Sequence, residues 1–60
     1  MIYKIVFVLK DRSADMPLSD RYRETTLPGP RADVIKFAKA MTPPNGFEYL
    51  GTRDGGTWVD

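Results

Sequence analysis

The first ten residues, MIYKIVFVLK, are almost continuously apolar, with Lys4 as the only charge before Lys10. Such a segment, rich in β-branched and aromatic residues, predicts a β-strand over Ile2–Leu9. A strand with one solvent-exposed face alternates apolar and polar residues, whereas this strand carries apolar residues on both faces. The sequence therefore predicts a central strand, hydrogen-bonded to a neighbour on each side.

A chain of 60 residues is expected to form a single domain, residues 1–60, with a small core. Domains of this size commonly depend on disulfides, a metal or a partner. The sequence contains no Cys and no His, which excludes disulfides and removes the commonest general base and transition-metal ligand. We therefore expect no metal site and no cofactor, and we expect that the chain is not an enzyme.

Nine Lys and Arg residues balance eight Asp and Glu residues, giving a net charge of +1. Such a balance disfavours both nucleic acid and an anionic membrane surface as partners. No stretch approaches the roughly 18 apolar residues of a membrane span, and the first residues lack the basic start of a signal peptide. We expect the protein to stay in the cytoplasm in which it is made.

The segment Lys10–Asp20 is polar and contains a proline, which predicts a loop. Its aspartates, Asp11, Asp15 and Asp20, could hold a cation, but their spacing matches no calcium loop, and a solvated loop is the favoured interpretation. The next segment, Arg21–Leu27, interleaves Tyr and Thr with charges. This pattern predicts an edge strand, on which charges discourage unwanted pairing.

The segment PGPRADVIKFAKAMTPP predicts a helix near Pro30–Met41. Proline suits the first turn of a helix, and Gly29 is an acceptable N-cap. Four apolar residues at helical spacing form one stripe: Val34, Phe37, Ala38 and Met41. We expect this stripe to face the sheet, with Phe37 as an anchor of the core because it is the largest apolar residue of the helix.

A third strand is predicted over Phe47–Thr52, after an Asn45-Gly46 turn. Asp54-Gly55 is a hairpin signal, so the last residues, TWVD, either fold back as a short fourth strand or form a loose tail. The second and third strands flank the helix, so we expect them to run parallel to each other through a right-handed crossover. The first strand can then lie between them, antiparallel to both. The predicted fold is α+β, a three-stranded ββαβ sheet of order 2-1-3 packed on one helix.

A single helix covers only one face of such a sheet. The exposed face holds either Ile2, Val6 and Val8 or Tyr3, Ile5, Phe7 and Leu9. The sequence does not decide what covers this face. The cover is either the C-terminal segment with Trp58, a second copy of the chain in a homodimer, or a different protein.

Nucleic acid is an alternative partner, because Tyr22 lies among arginines in the sequence: Arg21, Arg23 and Arg31. Arginines with an interleaved aromatic residue can bind single-stranded nucleic acid, because the arginines contact the phosphates and the bases stack on the aromatic ring. Asp20 and Glu24 interrupt the run, and a net charge of +1 is far from the basic footprint of such proteins. Solubilising charges on an edge strand are the favoured interpretation of this segment.

The segment ADVIKFAKAMTPPNGFEYLGTR carries a resemblance that extends over Tyr22–Arg53. It resembles the small inhibitors of host RNA polymerase made by short-tailed phages, which are one-domain proteins with a hairpin, a helix and a third strand. In that family a helix runs into a proline, one spacer, Gly-Phe-Glu and an alternating strand that ends in arginine. Here the residues in register are Pro44, Asn45, Gly46, Phe47, Glu48 and, at the family's second functional arginine, Arg53.

The chain departs from this family at two functional positions. Gly51 occupies the place of the family's first functional arginine. Arg23 occupies the place of a functional glutamate in the family's second strand. Glu24 is one residue away, and its side chain is expected on the opposite face of that strand. The resemblance implies that Arg53 binds the partner, and the weaker candidates around it are Arg23, Glu24, Glu48 and Asp54.

The resemblance implies a phage-type protein that binds and inhibits a host protein in the bacterial cytoplasm, with RNA polymerase as the first target to consider. Three other interpretations stay open: an inhibitor of a bacterial defence system or another host enzyme, a nucleic-acid-binding module, and a structural homodimer.

Overall fold

The computed structural model describes residues 1–11 and 15–60, and within these ranges it has one α-helix and four strands. They are β1 (Ile2–Leu9), β2 (Tyr22–Pro28), α1 (Arg31–Ala40), β3 (Phe47–Asp54) and β4 (Thr57–Trp58), with a short 3₁₀ helix at Leu18–Asp20. The α+β class is confirmed. Residues 12–14 of the predicted loop lie outside the described ranges. No helix in the described part of the chain is long and apolar enough to cross a membrane.

The strands form one sheet of order β2-β1-β3-β4, in which every neighbouring pair is antiparallel. The central position of β1 is confirmed, since it pairs with β2 along one edge and with β3 along the other. The predicted three strands take the order 2-1-3, and the fourth strand that the sequence left open is present as β4. The chain turns after Asp54, with Gly55 at a φ of 60° that favours glycine, and β4 then pairs with the end of β3.

The core lies between α1 and one face of β1. Its fully or nearly buried apolar residues are Tyr3, Ile5 and Phe7 from β1, Val34 and Ala38 from α1, and Phe47 from β3. Sequence alternation left open which face of β1 meets the helix. The helix packs on the face with the larger side chains, because that face presents two aromatic rings and an isoleucine for burial.

Helix α1 begins at Arg31 and not earlier, because Pro30 is the N-cap residue and has an extended backbone, with ψ at 145°. This corrects the prediction that Gly29 is the N-cap. Gly29 instead has a φ of 135°, a backbone region that favours glycine. The helix ends at Ala40, where the N–H of Met41 bonds to the carbonyls of Phe37 and Ala38.

The prediction that Phe37 anchors the core is wrong, because this side chain is 57% exposed. Ala38 is completely buried, so the helix approaches the sheet along the line from Val34 to Ala38. With 3.6 residues per turn, Phe37 lies about 60° from Val34 around the helix axis, on the side away from Ala38. Its ring therefore points past the contact line, toward Leu27 and Pro28 at the β2 edge.

The last two residues connect β3 to the helix. The N–H of Val59 bonds to the carbonyl of Thr52 at 2.9 Å. The Asp60 carboxylate accepts a hydrogen bond from the Tyr49 hydroxyl and forms a salt bridge with Lys39 at 3.2 Å. Since the Tyr49 proton is given to Asp60, the buried Thr52 hydroxyl donates to the Tyr49 oxygen, at 2.7 Å. These contacts tie the end of the chain to both β3 and α1.

The pKa of Asp60 lies below its usual value, mainly because of the hydrogen bond from Tyr49 and further because of Lys39. A lowered pKa in the folded state adds stability above the ordinary aspartate pKa and loses it as the pH falls through the folded value. We therefore expect Asp60→Asn to reduce the loss of unfolding free energy between neutral pH and about pH 3. Urea unfolding at several pH values measures this slope. Tyr49→Phe should flatten the slope in the same way, and an unchanged slope in both variants would contradict this role.

Candidate functional site

The face of the sheet that points away from α1, here called the open face, contains a groove of about 610 Å³. Val6 forms its buried floor. Three large apolar side chains line it while exposed by 38–49%: Tyr22, Leu50 and Trp58. Glu24, Arg53 and Ser19 complete its lining. Aromatic side chains exposed around an apolar floor are typical of a surface that binds a partner.

A β-bulge in β3 shapes this groove. Val6 pairs with Gly51 and Phe7 pairs with Tyr49, so that Leu50 has no partner of its own on β1. The extra residue breaks the alternation of faces. As a result Leu50 reaches the groove, while Gly51 lies beneath the ring of Trp58 on the same open face.

Gly51 is the contact point for Trp58. A Cβ atom at this position would lie 2.8 Å from Cζ3 of the Trp58 ring and 3.0 Å from the backbone oxygen of Asp60. No side chain fits there unless the ring moves. This contact gives a physical reason for a glycine at position 51.

Arg53 lies at the rim of the groove under the same ring, with its guanidinium carbon 5.2 Å from the centroid of the Trp58 ring. A cation over an aromatic face is a favourable contact that also restrains the arginine. Its Nε is buried and has no hydrogen-bond partner within the described ranges. A buried N–H without an acceptor is uncommon in proteins, so a rotation of this side chain that brings Nε to an acceptor on another molecule would be favourable.

Glu24 lies across the groove from Arg53 and forms a 3.8 Å salt bridge with Lys4. Both side chains of this pair are about half exposed, so solvent screens the interaction and its contribution to stability is small. Lys4 is also the direct cross-strand neighbour of Arg53. The open face therefore carries two adjacent cations, of which Glu24 partly neutralises one.

The structure brings together some of the residues that the resemblance selects and separates others. Arg53 and Glu24 line the same groove. Glu48 pairs with Val8 away from the groove lining, and Asp54 pairs with Thr57 at the hairpin tip. Arg23 lies on the helix side, with its guanidinium 5.0 Å from the centre of the Phe47 ring and its Nη1 donating to the carbonyl of Tyr22.

Sequence reasoning missed Leu50 and did not place Trp58 at the centre of the site. A single tryptophan after an Asp-Gly turn was a usable signal, because that turn predicts a fold-back onto β3. No comparable signal exists for Leu50, because its position depends on the bulge.

The loop aspartates Asp11, Asp15 and Asp20 belong to no metal-binding cluster among the residues that the structure describes. Across residues 1–11 and 15–60, no three carboxylates are grouped so that they could hold an ion.

Comparison of the chain with protein-family models, with curated proteins and with solved structures finds no match.

Proposed function

We propose that this chain binds a bacterial host protein through the groove on its open face and thereby inhibits that protein. The observation that carries the proposal is Arg53, whose buried Nε has no acceptor within the described ranges and lies at the rim of an apolar groove. An acceptor on a partner would satisfy this group once the side chain turns Nε out of its buried position, while the partner's apolar side chains fill the groove.

The residue types around the groove support binding to a protein. Interface residues that contribute most to affinity are enriched in Trp, Tyr and Arg, and they cluster in pockets that exclude water. Trp58, Tyr22 and Arg53 line one groove here. The Trp58 ring also holds the Arg53 guanidinium in place, which lowers the entropy lost by this side chain on binding.

The inhibitory role and the kind of target rest on the resemblance of Tyr22–Arg53 to phage inhibitors of host RNA polymerase. Bacterial RNA polymerase is therefore the first target to test. The purified chain should reduce transcript formation in an assay with purified polymerase and a promoter template. Unchanged transcription together with no binding to the polymerase would exclude this target, and a capture experiment from bacterial lysate would then identify another.

Arg53→Ala should weaken the complex at least about tenfold, because truncating an arginine in a desolvated interface costs about 2 kcal/mol or more. The melting temperature should fall by only a few degrees, since Arg53 forms no salt bridge with the described residues and loses only its contact with the half-exposed ring of Trp58. Calorimetric titration of the target measures the affinity. Arg23→Ala is the matched control, because this arginine lies on the helix side. Equal weakening by both variants would contradict a site centred on the groove.

Single-stranded nucleic acid is a second candidate partner, since Tyr22 and Trp58 are exposed beside Arg53 on one sheet face. Bases stack on such aromatic side chains while cations contact the backbone. A salt titration with a fluorescent oligonucleotide separates the two candidates. Binding to phosphates weakens steeply with salt, whereas an apolar protein interface does not. Steep salt dependence, with no protein retained from lysate, would replace the protein-binding proposal.

A further inference from the structure

We propose that two copies of this chain pair through the outer edge of β2 and form a continuous eight-stranded sheet. This inference does not depend on the proposed function. β2 is an edge strand in the sheet order, and its seven residues, Tyr22–Pro28, pair with β1 along the inner side without a break in register. No strand among the described residues pairs with its outer edge, and a strand edge of this length is a template for another strand.

The hydrogen-bond pattern shows which groups of β2 face outward. The N–H of Leu9 bonds to the carbonyl of Arg21, and the N–H of Gly29 bonds to the carbonyl of Met1, at the two ends of the β1–β2 ladder. Because bonded pairs alternate in an antiparallel ladder, odd-numbered residues of β2 bond to β1. The backbone groups of the even-numbered residues therefore point outward: Tyr22, Glu24, Thr26 and Pro28.

These outward groups are self-complementary when a twofold axis passes through Thr25. Glu24 of each copy then lies opposite Thr26 of the other, and each such pair can exchange two N–H···O=C bonds. Tyr22 lies opposite Pro28, where its N–H can donate to the proline carbonyl. Pro28 has no N–H to return, and the Tyr22 carbonyl already accepts a bond from the Arg23 side chain at 3.1 Å. The irregular end of the strand is thus consistent with this register.

Charge selects the same register. An axis at Glu24 would place the two Glu24 carboxylates opposite each other, and an axis at Arg23 would do the same with two guanidinium groups. An axis at Thr26 would bring Pro28, without an N–H, opposite Glu24. With the axis at Thr25 no two like charges face each other. The charges of β2 therefore discourage other pairings while permitting this one.

An exposed aromatic ring, that of Phe37, lies near the same edge of the sheet, on the helix side. The exposed ring of Phe37 borders a groove of about 340 Å³ whose other lining residues include Leu27 and Pro28. In the proposed register, Arg23 of the second copy lies opposite Leu27, on the helix side. Its long aliphatic stem would cover apolar surface there once the side chain turns outward from the Phe47 ring of its own chain. One partner thus accounts for both the open strand edge and the exposed Phe37.

Charge-reversal variants test the register. We expect the wild-type chain to sediment at about twice its mass of 6.8 kDa, and Thr26→Glu to weaken dimerisation about tenfold, because it places two carboxylate pairs opposite each other. Thr26 pairs with Lys4 on β1, so the new carboxylate lies beside a cation of its own chain. The substitution therefore introduces no like-charge cross-strand pair within the folded monomer at this position. The double variant with Glu24→Lys and Thr26→Glu should restore the dimer, because each pair then joins opposite charges.

Hydrogen exchange supplies a second readout. The amides of Glu24 and Thr26 should be protected in the wild type and exchange fast in Thr26→Glu, while those of Thr25 and Leu27 stay protected in both. Circular dichroism confirms that each variant is folded, and misfolding would not be reversed by the double variant. A wild-type chain that sediments as a monomer at every concentration would overturn the proposal. So would a dimer that Thr26→Glu leaves intact.

Discussion

Ile5→Ala is expected to remove a large part of the free energy of unfolding of this protein at 25 °C. Ile5 is completely buried at the centre of β1, within the core cluster. Removing three carbon atoms from such a site costs about 2–5 kcal/mol, because the cavity collapses only in part. Stability of about 0.05–0.15 kcal/mol per residue gives this chain only several kcal/mol in total. Urea unfolding followed by circular dichroism measures the loss.

Two variants calibrate this expectation. Ile5→Val removes a single methylene group and should cost about 0.5–1.5 kcal/mol. Phe37→Ala removes a larger side chain from an exposed position and should cost less than about 1 kcal/mol. If Phe37→Ala proved more destabilising than Ile5→Ala, the orientation of the helix on the sheet would have to be different.

Gly51→Ala is expected to displace Trp58 and to disrupt the groove on the open face. The new methyl group would lie 2.8 Å from the ring, well inside normal contact distance. Moving the ring removes its stacking on Arg53 and strains the residues that follow it, for a loss of about 1–3 kcal/mol typical of overpacking. Because Trp58 is the only tryptophan in the sequence, its fluorescence should shift to longer wavelength as it becomes solvated.

Gly56→Ala is the matched control for this experiment. Gly56 lies in the turn before β4, and a Cβ atom there would meet nothing within 4 Å. Its emission spectrum and its urea midpoint should resemble those of the wild type. If the proposed function holds, binding of the host protein should weaken in Gly51→Ala and stay unchanged in Gly56→Ala. Wild-type fluorescence in Gly51→Ala would show that Trp58 does not pack on this glycine.

Local and periodic features of the sequence are sufficient for the main elements of this fold. A continuously apolar segment avoids water only when neighbours cover it, and this places β1 at the centre of the sheet. The Asn45-Gly46 turn follows from backbone preference, since Gly46 has a φ of 89°. The α-helix between β2 and β3 follows from its apolar spacing. Each of these properties depends on residues that are close together in the chain.

The candidate site depends on contacts between residues far apart, and only the tertiary structure decides them. Periodicity placed Phe37 on the apolar stripe, but the close approach of the buried Ala38 turns that ring outward. Alternation places residues on strand faces only while the register is regular, and the bulge at Leu50 interrupts it. The pairing of β4 with β3 then brings Trp58 onto Gly51 and Arg53. The sequence by itself therefore determined the three longer strands, the helix and their order, and left the fourth strand open. Packing and register decided which side chains form the groove, because both depend on how distant segments fit together.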